Sequence, residues 1–256
     1  MASKIIRVHP VKDVLIDVDI QPAFMPGGGL PVADGDGILP VLQQVHRHFN
    51  REQRFLTLDR HPPGHVSLAS SYVGLPPGTV LNTVNTAGWT REGQKGSYTA
   101  PYRGLGENAG FTLGQLHVFL MYVGEQTLWP DHALVGSGED VLHRDIDPFV
   151  YAYAQIKGTD PLCDSYSGFR DNLGQPTKLV RQIAARVPGA ERVFLTGLAY
   201  DFCVARTALD ARKIGYDVVV LKDATRPTAT DRIALVDEYF AAKGVRVAQS
   251  SDLRSA

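Results

Sequence analysis

Leu195-Thr-Gly-Leu-Ala-Tyr-Asp-Phe-Cys-Val-Ala-Arg-Thr-Ala208 is the stretch from which the rest of this chain can be read. An apolar run over 192–196 climbs into a turn at Gly197, and helical spacing then continues from Asp201 to Ile214 and stops at Gly215. A strand that feeds a helix through a Gly-bearing turn is the repeating unit of a parallel α/β sheet. Asp201 stands where the N-cap of that helix belongs, which puts Cys203 in a first helical turn. Unpaired N–H groups and the positive end of the helix dipole there favour a thiolate. A small buried residue at a strand-helix junction fits the same position, so the remaining chemistry has to come from elsewhere in the chain.

Working outward, β-branched or apolar runs over 11–19, 55–59, 149–156, 217–221 and 245–248 read as strands. Segments 36–49, 177–187 and 228–243 have helical spacing, with Pro40 placed in a first turn and the last helix capped by Thr228 or Thr230. With 192–196 this makes six strands alternating with helices. The pattern predicts an α/β fold: a three-layer αβα sandwich around a mainly parallel six-stranded sheet, with ligands bound at the strand C-terminal edge.

Periodicity is lost between Pro62 and Asp131, where Gly, Pro, Thr, Asn and aromatic residues dominate. So long an irregular stretch is uncommon inside a compact domain. The chain therefore reads as one domain over 1–256 with an insertion at about 68–128, serving as a lid or as a subunit contact. Trp89, Tyr98, Tyr102, Phe111, Phe119, Tyr122 and Trp129 give this insertion apolar surface to bury. Residues 114–124 suit a short strand or a short helix equally well.

Composition narrows the class of function. A net charge of −1 over 256 residues supplies no field to gather nucleic acid or an anionic membrane. No apolar run is long enough to span a bilayer. Two cysteines and no apolar leader suggest a reducing, cytoplasmic setting, with a small molecule as partner and self-association into a homo-oligomer compatible with the sequence.

Four strand ends bring chemistry to one edge: Asp19, Asp59, Lys157 and the turn before Cys203. Taken singly, each Asp is an ordinary turn residue and the lysine an ordinary surface charge. Together they offer a nucleophile, a carboxylate to accept its proton and a cation to hold both, which is the equipment of acyl transfer. Asp59 and His61 are two apart in an extended segment and so project to one side, where a distant His132 can close the face. Mixed nitrogen and oxygen ligation with open positions suits one divalent ion, Zn(II), Fe(II) or Mn(II), in a catalytic role. His65 and Ser67 are near enough in sequence to add a ligand, directly or through water.

With these residues in hand, the chain resembles the nicotinamidase/pyrazinamidase branch of the isochorismatase-like cysteine hydrolases. Val18-Asp-Ile-Gln-Pro-Ala-Phe24, Asp59-Arg-His61, Trp129-Pro-Asp-His132, Lys157-Gly158 with Tyr166-Ser-Gly-Phe169, and Gly197-Leu-Ala-Tyr-Asp-Phe-Cys-Val204 carry the likeness in the family's order. It departs at Pro22-Ala23, where many members have Asn-Asp, in the longer segment after Ser67, and in extra residues around Cys163, which has no matching family role. The resemblance implies Asp19, Lys157 and Cys203 as catalytic residues and a metal held by Asp59, His61 and His132. It further implies a cis peptide between Leu198 and Ala199, an oxyanion hole from the backbone N–H groups of Ala199 and Cys203, and a ring sandwiched by Phe24 and Trp129. The implied reaction is deamidation of nicotinamide, with pyrazinamide as a second substrate, in NAD salvage. A cysteine amidohydrolase of the same fold acting on another small amide or heteroaromatic carboxamide is the alternative.

Overall fold

The computed structural model describes residues 5–87, 89 and 104–255; Tyr98 and Tyr102 lie outside the described residues. Along the chain the elements are β1 (Ile6–Val8), β2 (Asp13–Val18), α1 (Leu39–His46), β3 (Arg54–Asp59), β4 (Val80–Asn82), α2 (Leu113–Val123) and β5 (Glu125–Thr127). There follow β6 (Tyr153–Lys157), α3 (Leu179–Arg186), β7 (Arg192–Leu198), α4 (Ala205–Ile214), β8 (Asp217–Arg226), α5 (Ile233–Lys243), β9 (Val245–Ala248) and β10 (Leu253–Ser255).

Six strands form one sheet in the order β6-β3-β2-β7-β8-β9, and every neighbouring pair is parallel. The two-residue period of the strands sends Leu15, Leu56, Phe194 and Val219 to one face, against Leu42 and Val45 of α1. Val14, Ile16, Phe55, Val193 and Val220 go to the other, against Leu179 and Ile183 of α3, Ala208 and Ala211 of α4 and Phe240 of α5. Both faces of the sheet are thus covered by helices, which is why residues 218–221 of β8 are an unbroken apolar run. A charged residue, Asp17 on β2, is fully buried beneath α1. Its carboxylate meets His46 Nε2 at 2.6 Å, accepts the Tyr151 hydroxyl at 2.6 Å and accepts the Thr196 hydroxyl.

All six strands expected from the sequence are present, with shifted boundaries. The run expected to begin at 149 is interrupted because Pro148 starts a 3-10 turn, capped by Asp147 accepting from the Phe149 N–H at 2.9 Å, and β6 starts only at Tyr153. β8 extends to Arg226 because a register shift between Leu195 and Gly197 lets Gly197 pair with Thr225 and Leu198 with Arg226. Segment 114–124 is helical up to Val123, and Gly124 ends the helix with φ of 83°. Thr112 and Gln115 form a reciprocal capping box at the start of α2, which satisfies N–H groups that a helix end leaves open.

The stretch over 68–128 leaves and returns at one place. The Trp129 N–H donates to Ser67 O at 2.7 Å and the Ala69 N–H to Trp129 O at 2.8 Å. Between these ends, Tyr72, Leu81, Trp89, Phe111, Leu116, Phe119, Leu120 and Leu128 pack into a third apolar cluster, which also takes in Val66 and Cys163. β4 and β5 add a small antiparallel ladder. Among the described residues no helix is long and apolar enough to cross a membrane.

Candidate active site

The C-terminal ends of β2, β3, β6 and β7 converge on Cys203. Asp19 follows β2 with φ of 51°, a left-handed conformation that Asp tolerates better than most residues. Its N–H donates to Thr57 O at 3.1 Å, and the Thr57 hydroxyl donates to Asp19 Oδ1 at 2.6 Å, so one residue of β3 holds both its backbone and its carboxylate. Lys157 ends β6 fully buried, its Nζ 2.9 Å from Asp19 Oδ2, 3.1 Å from Asp59 Oδ1 and 3.6 Å from Cys203 Sγ. After β7 comes a cis peptide between Leu198 and Ala199, at the bond the resemblance indicated. Gly197, with φ of 99°, precedes it where a Cβ would fall 2.0 Å from Val18 O, so no larger residue fits the approach of β7 to β2.

Cys203 does not lie in a helix capped by Asp201. Residues Tyr200–Val204 form a single π-helical turn before α4, and the Asp201 carboxylate instead accepts from the Thr228 N–H at 2.8 Å and hydroxyl at 2.6 Å. Nor does the resting site favour a thiolate. Burial pushes the Cys203 thiol well above its usual range; the Lys157 charge pulls the other way, while Asp19 and Asp59 add to the rise. Burial likewise raises the Asp19 carboxyl despite Lys157 beside it, and Lys157 overcomes its own burial through Asp19 and Asp59 to stay firmly protonated.

Asp59 divides its two oxygens between two groups. Oδ1 faces Lys157, and Oδ2 lies 3.2 Å from His61 Nε2 and 3.9 Å from His132 Nε2. The donor atoms of Asp59, His61 and His132 fall within 4.8 Å of one another, all three residues being buried. The other ring nitrogens are already spent, His61 Nδ1 on Gly158 O at 3.0 Å and His132 Nδ1 on Pro130 O at 2.7 Å, which turns both Nε2 atoms inward. Gly158 is required there: with φ of 66°, a Cβ would sit 2.6 Å from both Asp59 Oδ1 and the His61 ring. Burial and His61 hold His65 and His132 down to about 4, so both rings are neutral and carry free lone pairs near pH 7.

Of the two further ligand candidates the structure brings one inward. His65 stacks on His61 with centroids 4.2 Å apart, and its buried Nε2 has no hydrogen-bond partner. Ser67 is instead the residue that orients it, its hydroxyl 2.8 Å from His65 Nδ1. Asp164, with no marked pattern around it in the sequence, completes a second group with His61 and His65, again with donor atoms within 4.8 Å. Two carboxylates and three imidazoles, all buried, thus make two candidate ligand groups that share His61, and the orphaned His65 nitrogen fits a divalent ion there.

Phe24 and Trp129 both line the pocket above Cys203, along with Leu30, Tyr166, Phe202 and Thr228. Phe24 meets the His132 ring edge-on at 5.5 Å, and Trp129 meets Phe202 edge-on at 4.7 Å. Phe202 was legible as the neighbour of Cys203; Leu30 and Thr228 come from distant loops and carried no signal. Gln21 is a further supporting residue. Its amide accepts from the Asp59 N–H at 2.7 Å and donates to Asp59 O at 2.8 Å, continuing the β2-β3 ladder by one side chain and fixing Asp59 relative to Asp19.

The chain as a whole is similar to known proteins. A nicotinamidase of Acinetobacter baylyi is 32% identical over 213 residues, covering 83% of this chain and 80% of the relative. The chain belongs to the nicotinamidase family. The family model for the isochorismatase domain matches residues 165–251. The Acinetobacter baumanii nicotinamidase structure superposes with a TM-score of 0.76 at 30% identity, covering 96% of this chain and 99% of that one. An L. infantum protein in complex with nicotinate gives 0.72 at 27% identity, covering 98% and 100%. A Pyrococcus horikoshii pyrazinamidase in complex with zinc gives 0.63 at 25%, covering 93% and 99%. Against this nicotinamidase background, Cys163 is set apart from Cys203. It is buried in the insertion's cluster, with its thiol pushed up to about 12 by burial.

Proposed function

We propose that the chain, a single domain carrying an insertion over 68–128, hydrolyses nicotinamide to nicotinate and ammonia, with pyrazinamide as a second substrate. It would supply nicotinate to NAD salvage in a reducing, cytoplasmic setting, a reading in keeping with two free thiols. The observation that carries the reaction is the cluster at the pocket floor, with Lys157 Nζ 2.9 Å from Asp19 and 3.6 Å from Cys203 Sγ.

Because the resting thiol is protonated, attack and deprotonation belong together. Asp19 takes the proton from Cys203 as its sulfur bonds to the carboxamide carbon, and the carbonyl electron pair moves onto oxygen. The backbone N–H groups of Ala199 and Cys203 receive this oxyanion, where loss of one donor costs about 3–4 kcal/mol. Collapse of the adduct breaks the C–N bond, and Asp19 returns its proton to the departing ammonia. Asp19 then takes a proton from water as the water adds to the thioester, and the sulfur leaves to regenerate the thiol and release the acid. Lys157 keeps Asp19 charged between these steps.

Asp59, His61 and His132, with His65 and Asp164 beside them, would hold one Zn(II), Fe(II) or Mn(II) ion. Such an ion supplies a Lewis acid for the ring nitrogen and for water. Phe24 and Trp129 would flank the ring. The test is ammonia release by purified protein from nicotinamide, pyrazinamide, benzamide and a carbamoylated amine. Turnover of nicotinamide above the others supports the reading, whereas preference for the carbamoylated amine replaces it with the alternative amidohydrolase.

A further inference from the structure

The pocket over Cys203 is narrow, with Phe24, Trp129, Tyr166 and Phe202 among its walls, so the placing of each wall bears on the shape of the ring it accepts. What pins those walls therefore governs what is admitted. Two of them, Trp129 and Tyr166, are coupled: Trp129 Nε1 donates to Tyr166 Oη at 3.1 Å, and both rings meet Phe202, at 4.7 and 5.7 Å. A third, the Asp164 carboxylate, is buried beside His61 and His65.

All three lead to one side chain. Gln126 lies in the middle of β5, where strand alternation turns it inward between exposed Glu125 and half-buried Thr127, and it is 1% exposed. Its Nε2 donates to Asp164 Oδ2 at 3.1 Å, to Thr127 O at 2.8 Å and, more weakly, towards Tyr166 Oη at 3.4 Å. The amide orientation is not arbitrary, because exchanging its O and N would set an acceptor against a carboxylate and a carbonyl.

We propose that Gln126 is a positioning residue for the ring slot: from the insertion, it holds Tyr166, and through it Trp129, together with Asp164, at the spacing that admits a flat heteroaromatic carboxamide. The inference rests on the reading of the Cys203 pocket given above. None of the Gln126 contacts reaches Asp19, Lys157 or Cys203, so its loss acts on ring binding and leaves the thiol chemistry in place. A residue that merely ties β5 to the body would instead affect stability and every step alike.

The experiment compares wild type, Gln126→Leu, Gln126→Glu and Tyr166→Phe. With nicotinamide, KM in Gln126→Leu rises about tenfold while kcat stays within about threefold. Nicotinate is also used to shield Cys203 from iodoacetamide. The concentration giving half-protection rises about tenfold, in step with KM, and the unprotected alkylation rates of Cys203 and Cys163 do not change. Gln126→Glu, though the same shape, is worse than Leu because it faces Asp164 with a second acceptor. Tyr166→Phe reproduces part of the KM effect, and the Gln126→Leu/Tyr166→Phe double variant costs less than the two singles combined. Unchanged KM and half-protection in folded Gln126→Leu overturn the assignment, as does strict additivity in the double variant. A parallel fall in kcat with faster Cys163 alkylation overturns it too. A wild type that neither turns over nicotinamide nor is shielded by nicotinate overturns the functional reading and the slot with it; a shielded wild type with an equally shielded Gln126→Leu overturns the Gln126 assignment alone.

Discussion

Lys157 Nζ stands 3.1 Å from Asp59 Oδ1, so the cation beside Asp19 and Cys203 also touches the group suited to a metal. The other Asp59 oxygen, Oδ2, points to His61 and His132. One carboxylate therefore joins the two halves of the site without sharing an atom between them.

That division separates two effects in Lys157→Met. The charge is lost while most of the stem's volume remains, and kcat falls about 100-fold or more because Asp19 and the developing thiolate lose their counter-ion. Metal content, measured by elemental analysis, stays at the wild-type level because Oδ2 is untouched. Loss of metal together with kcat would mean that the two halves are not separable.

The neutral imidazoles of His65 and His132 predict one divalent ion per chain at pH 7, depleted in His132→Ala. Ser67→Ala leaves the ligand atoms in place but frees His65 to rotate, weakening metal affinity by about 10- to 100-fold. A chelator titration reads both. Equal affinity in Ser67→Ala and wild type would show that His65 needs no orienting partner.

Cys203→Ala abolishes turnover and Cys163→Ala retains it. Since burial raises both thiols, the alkylation rate of each keeps climbing with pH beyond 9 instead of levelling near neutrality. Cys203, which lines the pocket beside Lys157, reacts first. Mass spectrometry of partly alkylated protein checks the order, and a plateau for Cys203 near pH 7 would indicate a resting thiolate.

Asp17 predicts the acid limb of stability. Burial works against its charge, but His46 and the hydroxyls of Thr196 and Tyr151 outweigh it and hold the carboxyl below the usual range. With the folded value depressed, the unfolded chain takes up the proton first. The stabilisation is therefore complete above about pH 4 and lost as pH falls through the folded value. Asp17→Asn should cost about 3 kcal/mol at pH 7 and flatten the Tm profile below pH 4. An unaltered acid limb would assign it to other carboxylates.

Much of this was legible in the sequence because the information is local. Strand alternation and Gly stops marked the six sheet strands, and Asp19, Asp59, Lys157 and Cys203 stand at strand ends or in the turn after one, where an α/β sheet gathers its ligands. What was not legible depends on partners distant in the chain. Asp201 has the spacing of an N-cap, yet its carboxylate goes to Thr228, 27 residues on, and the turn holding Cys203 is wound as a π-turn. The thiolate expectation failed for the same reason: a dipole can be read from a helix start, but the burial that raises the thiol belongs to the assembled pocket. Asp164 and Gln126 meet only once β5 docks beside the loop after β6. α2 could have been found, since Thr112 and Gln115 spell a capping box.

The pairing of Ser67 and Ala69 with Trp129 brings the two ends of the stretch over 68–128 together beside the sheet. Because it departs and returns through the same few hydrogen bonds, a doubling of its length costs only about 0.6 kcal/mol in closure entropy and need not shift a strand. Asp19, Lys157 and Cys203 stand at or just after the sheet's own strand ends, whereas the slot is reached from the loop through Gln126. Such a chain can exchange its substrate preference while its bond-breaking machinery stays fixed.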